Sequence, residues 1–284
     1  MSDARTWRTL LAEAAVALGS DGDARWMVEE ASGMGRAELV VHLDDPATAR
    51  CGAYFSRMVE RRLTGEPLQY VLGRWGFRDL DLMVDRRVLI PRPETEQVVG
   101  WALEEVGRDG ELVVADLGTG SGAIALALAR ELPRAEVWAT DVSPDALDVA
   151  RANTAGAGMW AARRVRVVEG SWWDALPAEL RGRVDLVVSN PPYVADDEAL
   201  PAEVEAWEPR LALRGGDDGL DAVKVIVGGA GTWLAPGGVL VMEIAPAQED
   251  AVVGLAVRAG AARAGVRVDA LDRPRALVAR WPGG

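Results

Sequence analysis

Apolar residues recur every three or four positions through the first 63 residues, which is the period of a helix that buries one face. This pattern predicts helices over residues 7–18, 23–32, 36–41 and 48–63. Ser20, Asp21 and Asp45 stand in the gaps, where short polar side chains typically cap helix ends. The segment as far as residue 72 is therefore predicted to form a small helical bundle.

The pattern changes after Gly65-Glu-Pro67, where glycine and proline interrupt the helical period. Residues 77–82 and 85–90 then alternate apolar with polar positions, as the two strands of a short hairpin would. The sequence thus predicts three parts. They are a helical domain over residues 1–72, a β-hairpin linker over 73–90 and a larger domain over 91–284.

The larger domain alternates short apolar runs with stretches of helical period, which is typical of a mainly parallel sheet covered by helices. Seven strands are predicted, centred near Val113, Val137, Val167, Val187, Leu240, Val266 and Ala276. The predicted fold class is α/β, with a seven-stranded Rossmann-like sheet preceded by the helical bundle.

Composition narrows the class of protein further. The 284 residues favour two domains, and the formal net charge of -13 argues against direct, nonspecific binding of nucleic acid, which needs a basic face. One cysteine and one histidine argue against an internal disulfide, a metal site and histidine-based catalysis. No apolar run approaches the roughly 20 residues of a membrane span, and the acidic start does not resemble a signal peptide, so a cytoplasmic protein is expected.

A glycine-rich turn follows the first predicted strand of the large domain. The apolar run over 111–116 ends in Asp116, and Leu117-Gly118-Thr119-Gly120-Ser121-Gly122 leads directly into a predicted helix. Glycines at such a turn let the backbone approach a ligand closely, and the helix start behind them favours polar ligands. The loop alone fits a nicotinamide enzyme, a flavoprotein, a methyltransferase or a turn without a ligand.

The next predicted strand, over 136–140, ends at Asp141, about twenty residues beyond the loop, where an acid can accept hydrogen bonds from ribose hydroxyls. The G-x-G-x-G pattern after Asp116 differs from the G-x-G-x-x-G that cradles a pyrophosphate. A nucleoside without phosphate, such as S-adenosyl-L-methionine, is the predicted cofactor. Asp141 can also cap the helix expected at Ser143-Pro144, and the two roles are compatible.

Asn190-Pro191-Pro192-Tyr193 follows the apolar run over 184–189, at the carboxyl edge of the predicted sheet. The two prolines stiffen the segment, so that the Asn190 amide and the Pro191 carbonyl form a pair of acceptors with restricted geometry. Such a pair can hold both hydrogens of a planar amino group, and the Tyr193 ring offers a face for stacking. The alternative is a proline-stiffened turn without a ligand.

With these motifs in this order, the chain resembles the N(5)-glutamine methyltransferases that modify class 1 peptide chain release factors. The resemblance extends over stretches 65–70, 88–96, 116–122, 190–193, 208–216, 218–220 and 236–244. Arg92-Pro-Glu-Thr-Glu96 is the most discriminating of them. The resemblance implies a class I methyltransferase domain and an N-terminal domain that recognises the substrate. The implied substrate is the glutamine of the GGQ motif in a release factor.

The same resemblance assigns site residues. Those implied for S-adenosyl-L-methionine are Gly118, Thr119, Gly120, Ser121, Gly122, Asp141, Trp172 and Asn190. Those implied for the substrate glutamine and its transfer are Asn190, Pro191, Pro192 and Tyr193, with Arg92 and Glu94 as further substrate-binding residues. Trp172 and Trp173 would equally fit an aromatic pair in the core.

Two positions depart from the family pattern, Ser171 where relatives often carry Asp, and Ala245 where they usually carry Gly. These departures concern the surroundings of the adenine and the turn after one strand. Alternative functions are methylation of a glutamine in a ribosomal protein and methylation of the amino group of adenine in nucleic acid. A noncatalytic protein that binds the cofactor is a third alternative, against which an intact Asn190-Pro-Pro-Tyr193 argues.

Overall fold

The computed structural model describes residues 5–283. The chain divides into two compact units between Arg74 and Trp75. The first unit contains α1 (Trp7–Leu18), α2 (Asp21–Ser32), α3 (Arg36–His42), α4 (Ala49–Leu63) and α5 (Leu68–Leu72). Its core is made of the apolar faces that the periodicity predicted, including Leu10, Met27, Phe55 and Met58.

Three residues of this unit were predicted to cap helices, and the structure confirms this for one of them. Ser20 caps α2, because its hydroxyl accepts a hydrogen bond from the Asp23 N–H at 3.1 Å. Asp21 lies inside the first turn instead, where its negative charge favours the helix dipole. The α4 cap is Thr48 and not Asp45, so that prediction was wrong.

The predicted hairpin exists, but its position was wrong. Its strands are β1 (Arg74–Phe77) and β2 (Leu80–Met83), and residues 85–90 form no strand. The Asp85 carboxylate accepts hydrogen bonds from the Arg87 N–H and guanidinium, which closes a turn here. Val88 and Ile90 are buried, so a loop produced the alternation that a strand would also show.

The second unit contains one seven-stranded sheet, as predicted. Its strands are β3 (Val113–Leu117), β4 (Glu136–Asp141), β5 (Val165–Glu169), β6 (Val184–Ser189), β7 (Leu234–Glu243), β8 (Arg263–Val268) and β9 (Pro274–Arg280). They are ordered β5-β4-β3-β6-β7-β9-β8. The first five in this order pair in parallel, and β9 pairs antiparallel with both β7 and β8.

Eight α-helices lie before or between these strands within the described part of the chain. They are α6 (Pro93–Val106), α7 (Ala123–Glu131), α8 (Pro144–Ala157), α9 (Met159–Arg164), α10 (Ala202–Trp207), α11 (Arg210–Leu213), α12 (Asp221–Trp233) and α13 (Glu249–Arg258). Alternate strand residues enter different hydrophobic clusters, Val114 one and Ala115 the other, because successive side chains point to opposite faces. Helices α6 and α7 contribute to the first cluster, and α12 and α13 to the second.

Strand order places β3 between β4 and β6. Since all three run in parallel, their carboxyl ends lie at one edge of the sheet. The glycine loop follows β3 directly, Asp141 is the last residue of β4, and Asn190 follows β6 directly. Within residues 5–283, no helix is long and apolar enough to cross a membrane.

Candidate active site

A cavity opens at the carboxyl ends of β3, β4 and β6. Its volume of about 430 Å³ is within the size range of small-molecule sites. Most residues predicted for the site line it: Arg92, Gly118, Thr119, Gly120, Ser121, Asp141, Trp172, Asn190 and Pro192. The remaining predicted residues do not line it: Glu94, Gly122, Pro191 and Tyr193. The structure thus brings together the cofactor motifs and the start of the Asn-Pro-Pro-Tyr segment.

The glycine loop is held against the end of β4. The backbone N–H groups of Gly118 and Thr119 both donate to the Thr140 carbonyl, at 2.9 and 2.8 Å. Gly118 has a φ of 78°, and a Cβ there would lie 3.2 Å from the Trp172 ring. The backbone conformation therefore strongly favours glycine at this position, and the close approach of the Trp172 ring adds to that preference.

Asp141 ties the loop to the following helix. One of its carboxylate oxygens accepts from the Gly120 N–H and the other from the Ser143 N–H, both at 2.9 Å. The cap of α8 is Ser143 and not Asp141, since the Ser143 hydroxyl accepts from the Ala146 N–H. Burial raises the pKa of Asp141. Each oxygen has a further lone pair that can accept from a hydroxyl of a bound ligand.

The two adjacent tryptophans have different environments. Trp173 is a core residue: its indole N–H donates to the Ile226 carbonyl at 3.1 Å, and its ring stacks on Trp233 with centroids 6.0 Å apart. Trp172 lies instead beside Gly118 on the cavity wall, with a φ of 47°. Positive φ is unfavourable for a bulky residue, and such strain is concentrated at ligand sites.

Asp116 lies beneath the glycine loop and is fully buried. One carboxylate oxygen accepts from the Thr119 hydroxyl at 2.6 Å and from the Ala125 N–H at 3.0 Å. The other oxygen has no hydrogen-bond partner among the described residues. Burial raises the pKa of Asp116 to about 7. A buried acid with an unpaired oxygen favours a cationic ligand above the loop over an anionic one.

Hydrogen bonds from α6, from the end of β7 and from the segment after β7 hold the Asn-Pro-Pro-Tyr segment in place. The Asn190 amide nitrogen donates to the Thr95 hydroxyl oxygen at 3.2 Å. The Tyr193 hydroxyl donates to the Glu243 carboxylate at 3.3 Å, and the Tyr193 carbonyl accepts from the Gln248 amide at 3.1 Å. Burial raises the pKa of Tyr193, so its hydroxyl stays protonated.

Arg92 and Glu94, the other residues predicted to bind substrate, are separated by the structure. Arg92 lines the cavity and forms an ion pair with Glu208, whose other carboxylate oxygen accepts from the Ile90 N–H. Glu94 lies in the first turn of α6 and faces Arg275, with 3.8 Å between the charged atoms.

Comparison with known proteins identifies the family. Residues 5–73 match the family model of the PrmC N-terminal domain, and residues 102–206 match that of the methyltransferase small domain. The release factor glutamine methyltransferase of Xylella fastidiosa strain 9a5c is 44% identical over 262 residues, which cover 92% of this chain and 93% of that protein. That of Moorella thermoacetica is 43% identical and covers 91% and 92%. This chain belongs to the release factor glutamine methyltransferase family.

A solved structure resembles this chain in fold. A crystal structure of a methyltransferase from Pyrococcus furiosus matches with a TM-score of 0.54 at 19% identity, over 81% of this chain and 100% of that one. Such a likeness concerns the fold alone. Together with the strand order, it confirms the predicted class I methyltransferase fold.

Sequence reasoning missed three residues that hold the site together: Thr95, Glu208 and Glu243. All three are buried polar groups hydrogen-bonded to predicted site residues. Each lies inside a stretch that carried the family resemblance. Glu243 had a further signal, because an acid that ends a long apolar strand is costly to bury unless it is paired.

The raised pKa of Asp116 predicts a pH-dependent stability. Between the ordinary value of 3.8 and about 7, the folded state binds more protons at this residue than the unfolded state. Its contribution to stability is therefore complete below about pH 4 and is lost as the pH rises through about 7. Asp116→Asn stays neutral throughout, so we expect its free energy of unfolding relative to the parent to rise by roughly 1 to 3 kcal/mol between pH 5 and pH 8.

Urea unfolding of both proteins without cofactor measures this difference. A difference that stays constant between the two pH values would mean that Asp116 is ionised across the whole range.

Proposed function

We propose that this chain transfers the methyl group of S-adenosyl-L-methionine to the side-chain amide nitrogen of the glutamine in the GGQ motif of class 1 peptide chain release factors. One observation carries the proposal beyond family membership. Asn190 lines the same cavity as the glycine loop and directly follows β6, which pairs with the strand that leads into that loop. An acceptor for an amide thus lies beside a site suited to a nucleoside cofactor.

The cavity residues fit S-adenosyl-L-methionine, which supplies a methyl group activated by a positively charged sulfur. Asp141 would accept hydrogen bonds from the ribose hydroxyls, and Trp172 would provide a flat wall over Gly118. The buried carboxyl of Asp116 suits this cofactor, which contains positive charges and no phosphate. We assign the backbone of residues 118–122 and the Asn190 side chain to the same binding site.

The chemistry required of the protein follows from the substrate. An amide nitrogen is a poor nucleophile because its lone pair is delocalised into the carbonyl. We propose that the Asn190 side-chain oxygen and the Pro191 carbonyl accept hydrogen bonds from the two amide hydrogens and so aim the lone pair at the methyl group. Positioning of this kind can supply up to about 7–11 kcal/mol. The same two oxygens would stabilise the positive charge that develops on the nitrogen, and the proton would then pass to water.

The other residues complete the proposal. Pro192 would form a wall beside the glutamine side chain, and Tyr193, which does not line the cavity, would hold the substrate-binding segment in place behind it. Arg92 and Glu94 would contact the release factor near the cavity. We assign substrate recognition to residues 1–72, a linking role to residues 73–90 and the chemistry to residues 91–284. The partner is a protein, with no direct contact to nucleic acid or membrane. The enzyme would work in the cytoplasm, where release factors act.

The decisive experiment incubates the protein with cofactor labelled in the methyl group and with purified class 1 release factors. A release factor whose GGQ glutamine is replaced by alanine is the matched control. We expect label in the intact factor only, and mass spectrometry should place it on that glutamine. Label in a ribosomal protein or in adenine-containing DNA, with none in release factors, would establish one of the alternative functions. Cofactor binding without transfer to any of them would indicate a binding protein.

The role assigned to the N-terminal region makes a separate prediction. Both hydrophobic clusters of the sheet consist of residues between Phe77 and Trp281, so a variant that starts at Gly73 keeps them whole. We expect this variant to bind cofactor as the full chain does, within about threefold, and to methylate an intact release factor poorly. Calorimetry and the transfer assay measure the two quantities. Full activity of the shortened protein would show that residues 1–72 do not select the substrate.

A further inference from the structure

A chain of hydrogen bonds connects the Asn190 side chain to a buried carboxylate. The Asn190 amide nitrogen donates to the Thr95 hydroxyl oxygen at 3.2 Å, and the Thr95 hydroxyl donates to Glu243 at 2.6 Å. Thr95 is 4% exposed and Glu243 is 2% exposed. The connection is therefore shielded from water, and water cannot readily replace either partner.

The direction of both hydrogen bonds follows from the chemistry of Glu243, the residue at which the chain of bonds ends. Burial raises the pKa of Glu243, and the hydrogen bonds that it accepts from Thr95 and Tyr193 oppose that rise. With Glu243 ionised, its carboxylate only accepts hydrogen bonds, so the single hydroxyl hydrogen of Thr95 is committed to Glu243. The Thr95 oxygen is then left as an acceptor. An amide placed against it must present its NH2 group, because an amide oxygen there would face another oxygen without a hydrogen between them.

This direction determines what Asn190 offers to the cavity. With its nitrogen held by Thr95, the amide oxygen is the polar atom left for a ligand. None of the described residues donates a hydrogen bond to that oxygen. The opposite orientation of the amide would present a donor to the substrate, and a donor cannot accept an N–H of glutamine.

We infer that Thr95 and Glu243 are positioning residues that orient the Asn190 amide with its oxygen toward the substrate amide. The inference rests on the proposed function, since it assigns the orientation of an acceptor that the proposed reaction uses. Glu243 also accepts from the Tyr193 hydroxyl at 3.3 Å. One carboxylate therefore contacts Tyr193 directly and Asn190 through Thr95. Neither Thr95 nor Glu243 needs to touch the reacting atoms for this role.

Two substitutions at Thr95 separate the hydroxyl from the shape of the side chain. Thr95→Val keeps the shape and removes both the donor and the acceptor, whereas Thr95→Ser keeps the hydroxyl and loses one methyl group. We expect Thr95→Val to lower kcat by about tenfold or more, as loss of an orienting partner commonly does. KM for the release factor and Kd for the cofactor should stay within about threefold. Thr95→Ser should retain most of the parent's kcat.

A double mutant tests whether Thr95 acts through Asn190. If it does, adding Thr95→Val to Asn190→Ala should change kcat by less than about threefold, because the group that Thr95 orients is already missing. If the two losses multiply, Thr95 acts by another route and the inference is wrong. Equal loss of kcat in Thr95→Val and Thr95→Ser would also overturn it, since packing and not the hydroxyl would then matter.

A measurement without turnover separates this inference from the proposed function. In protein labelled with nitrogen-15, the side-chain NH2 signals that disappear in Asn190→Ala belong to Asn190. We expect these signals to show slow hydrogen exchange in the parent and in Thr95→Ser, and exchange at least about tenfold faster in Thr95→Val. Unchanged exchange in Thr95→Val would overturn the inference whether or not the protein methylates release factors. A parent that shows this pattern but no transfer would contradict the proposed function alone.

Discussion

Replacement of Asn190 by alanine should lower the rate at saturating substrate by at least about a hundredfold, a transition-state loss near 2.7 kcal/mol. The reason is that the proposed catalysis depends on alignment. Without the Asn190 oxygen, one amide hydrogen has no acceptor and the lone pair has no preferred direction. The effect on cofactor affinity should be smaller. Steady-state kinetics with a release factor and calorimetry with the cofactor measure the two quantities.

Two matched variants refine this test. Asn190→Asp keeps the size and an acceptor, but it loses the NH2 group that donates to Thr95 and adds a negative charge. We expect a loss of rate even though an acceptor remains. Tyr193→Phe keeps the ring and removes only the hydroxyl that contacts Glu243, so its effect should be mild. An Asn190→Ala enzyme within a few-fold of the parent rate would mean that the tetrapeptide is a structural turn.

Replacement of Asp141 by alanine should weaken binding of S-adenosyl-L-methionine by roughly 10- to 150-fold, which corresponds to about 1.5–3 kcal/mol for hydrogen bonds to a charged acceptor. The variant also releases the Gly120 N–H that Asp141 holds at 2.9 Å, so the glycine loop loses one of its attachments. Asp141→Asn is the matched control. It keeps one oxygen acceptor and should lose less affinity than the alanine variant.

Calorimetry with S-adenosyl-L-methionine and with NAD compares the affinities of the two ligands, and so tests the same assignment of the cofactor. The G-x-G-x-G loop and the acid beneath it favour the cofactor without phosphate. Tighter binding of NAD, or an Asp141→Ala variant with unchanged affinity for S-adenosyl-L-methionine, would show that the loop serves another ligand.

The strands and the glycine loop were predictable from the sequence because their signals are local. A buried parallel strand is a short apolar run, and the turn after it needs glycine where φ is positive, as at Gly118. The segment over 85–90 shows that such a local signal can mislead. Its alternation matched a strand, but the Asp85 carboxylate closes a turn with the Arg87 N–H, and side-chain hydrogen bonds of this kind compete with strand pairing.

The pair Trp172-Trp173 shows a second limit. Both interpretations of an aromatic pair were open, and the structure places Trp173 in the core and Trp172 on the cavity wall. Trp173 packs on Trp233 of α12, while the positive φ of Trp172 directs the chain so that its ring lies beside Gly118. These adjacent residues have opposite environments because the backbone changes direction at the positive φ of Trp172. No local pattern of residue types predicted that change of direction.

The sequence by itself determined the order of the seven sheet strands along the chain, the residues at the ends of β3, β4 and β6, and the family to which the chain belongs. These depend on periodicity, on glycine and proline chemistry and on motifs of adjacent residues. Only the tertiary structure decided which polar groups meet. Thr95 and Glu243 are 148 residues apart in the chain, yet they bond at 2.6 Å beside Asn190. Their meeting depends on the packing of α6 beside β6 and β7, and a local pattern contains no information about neighbours that the strand order brings together.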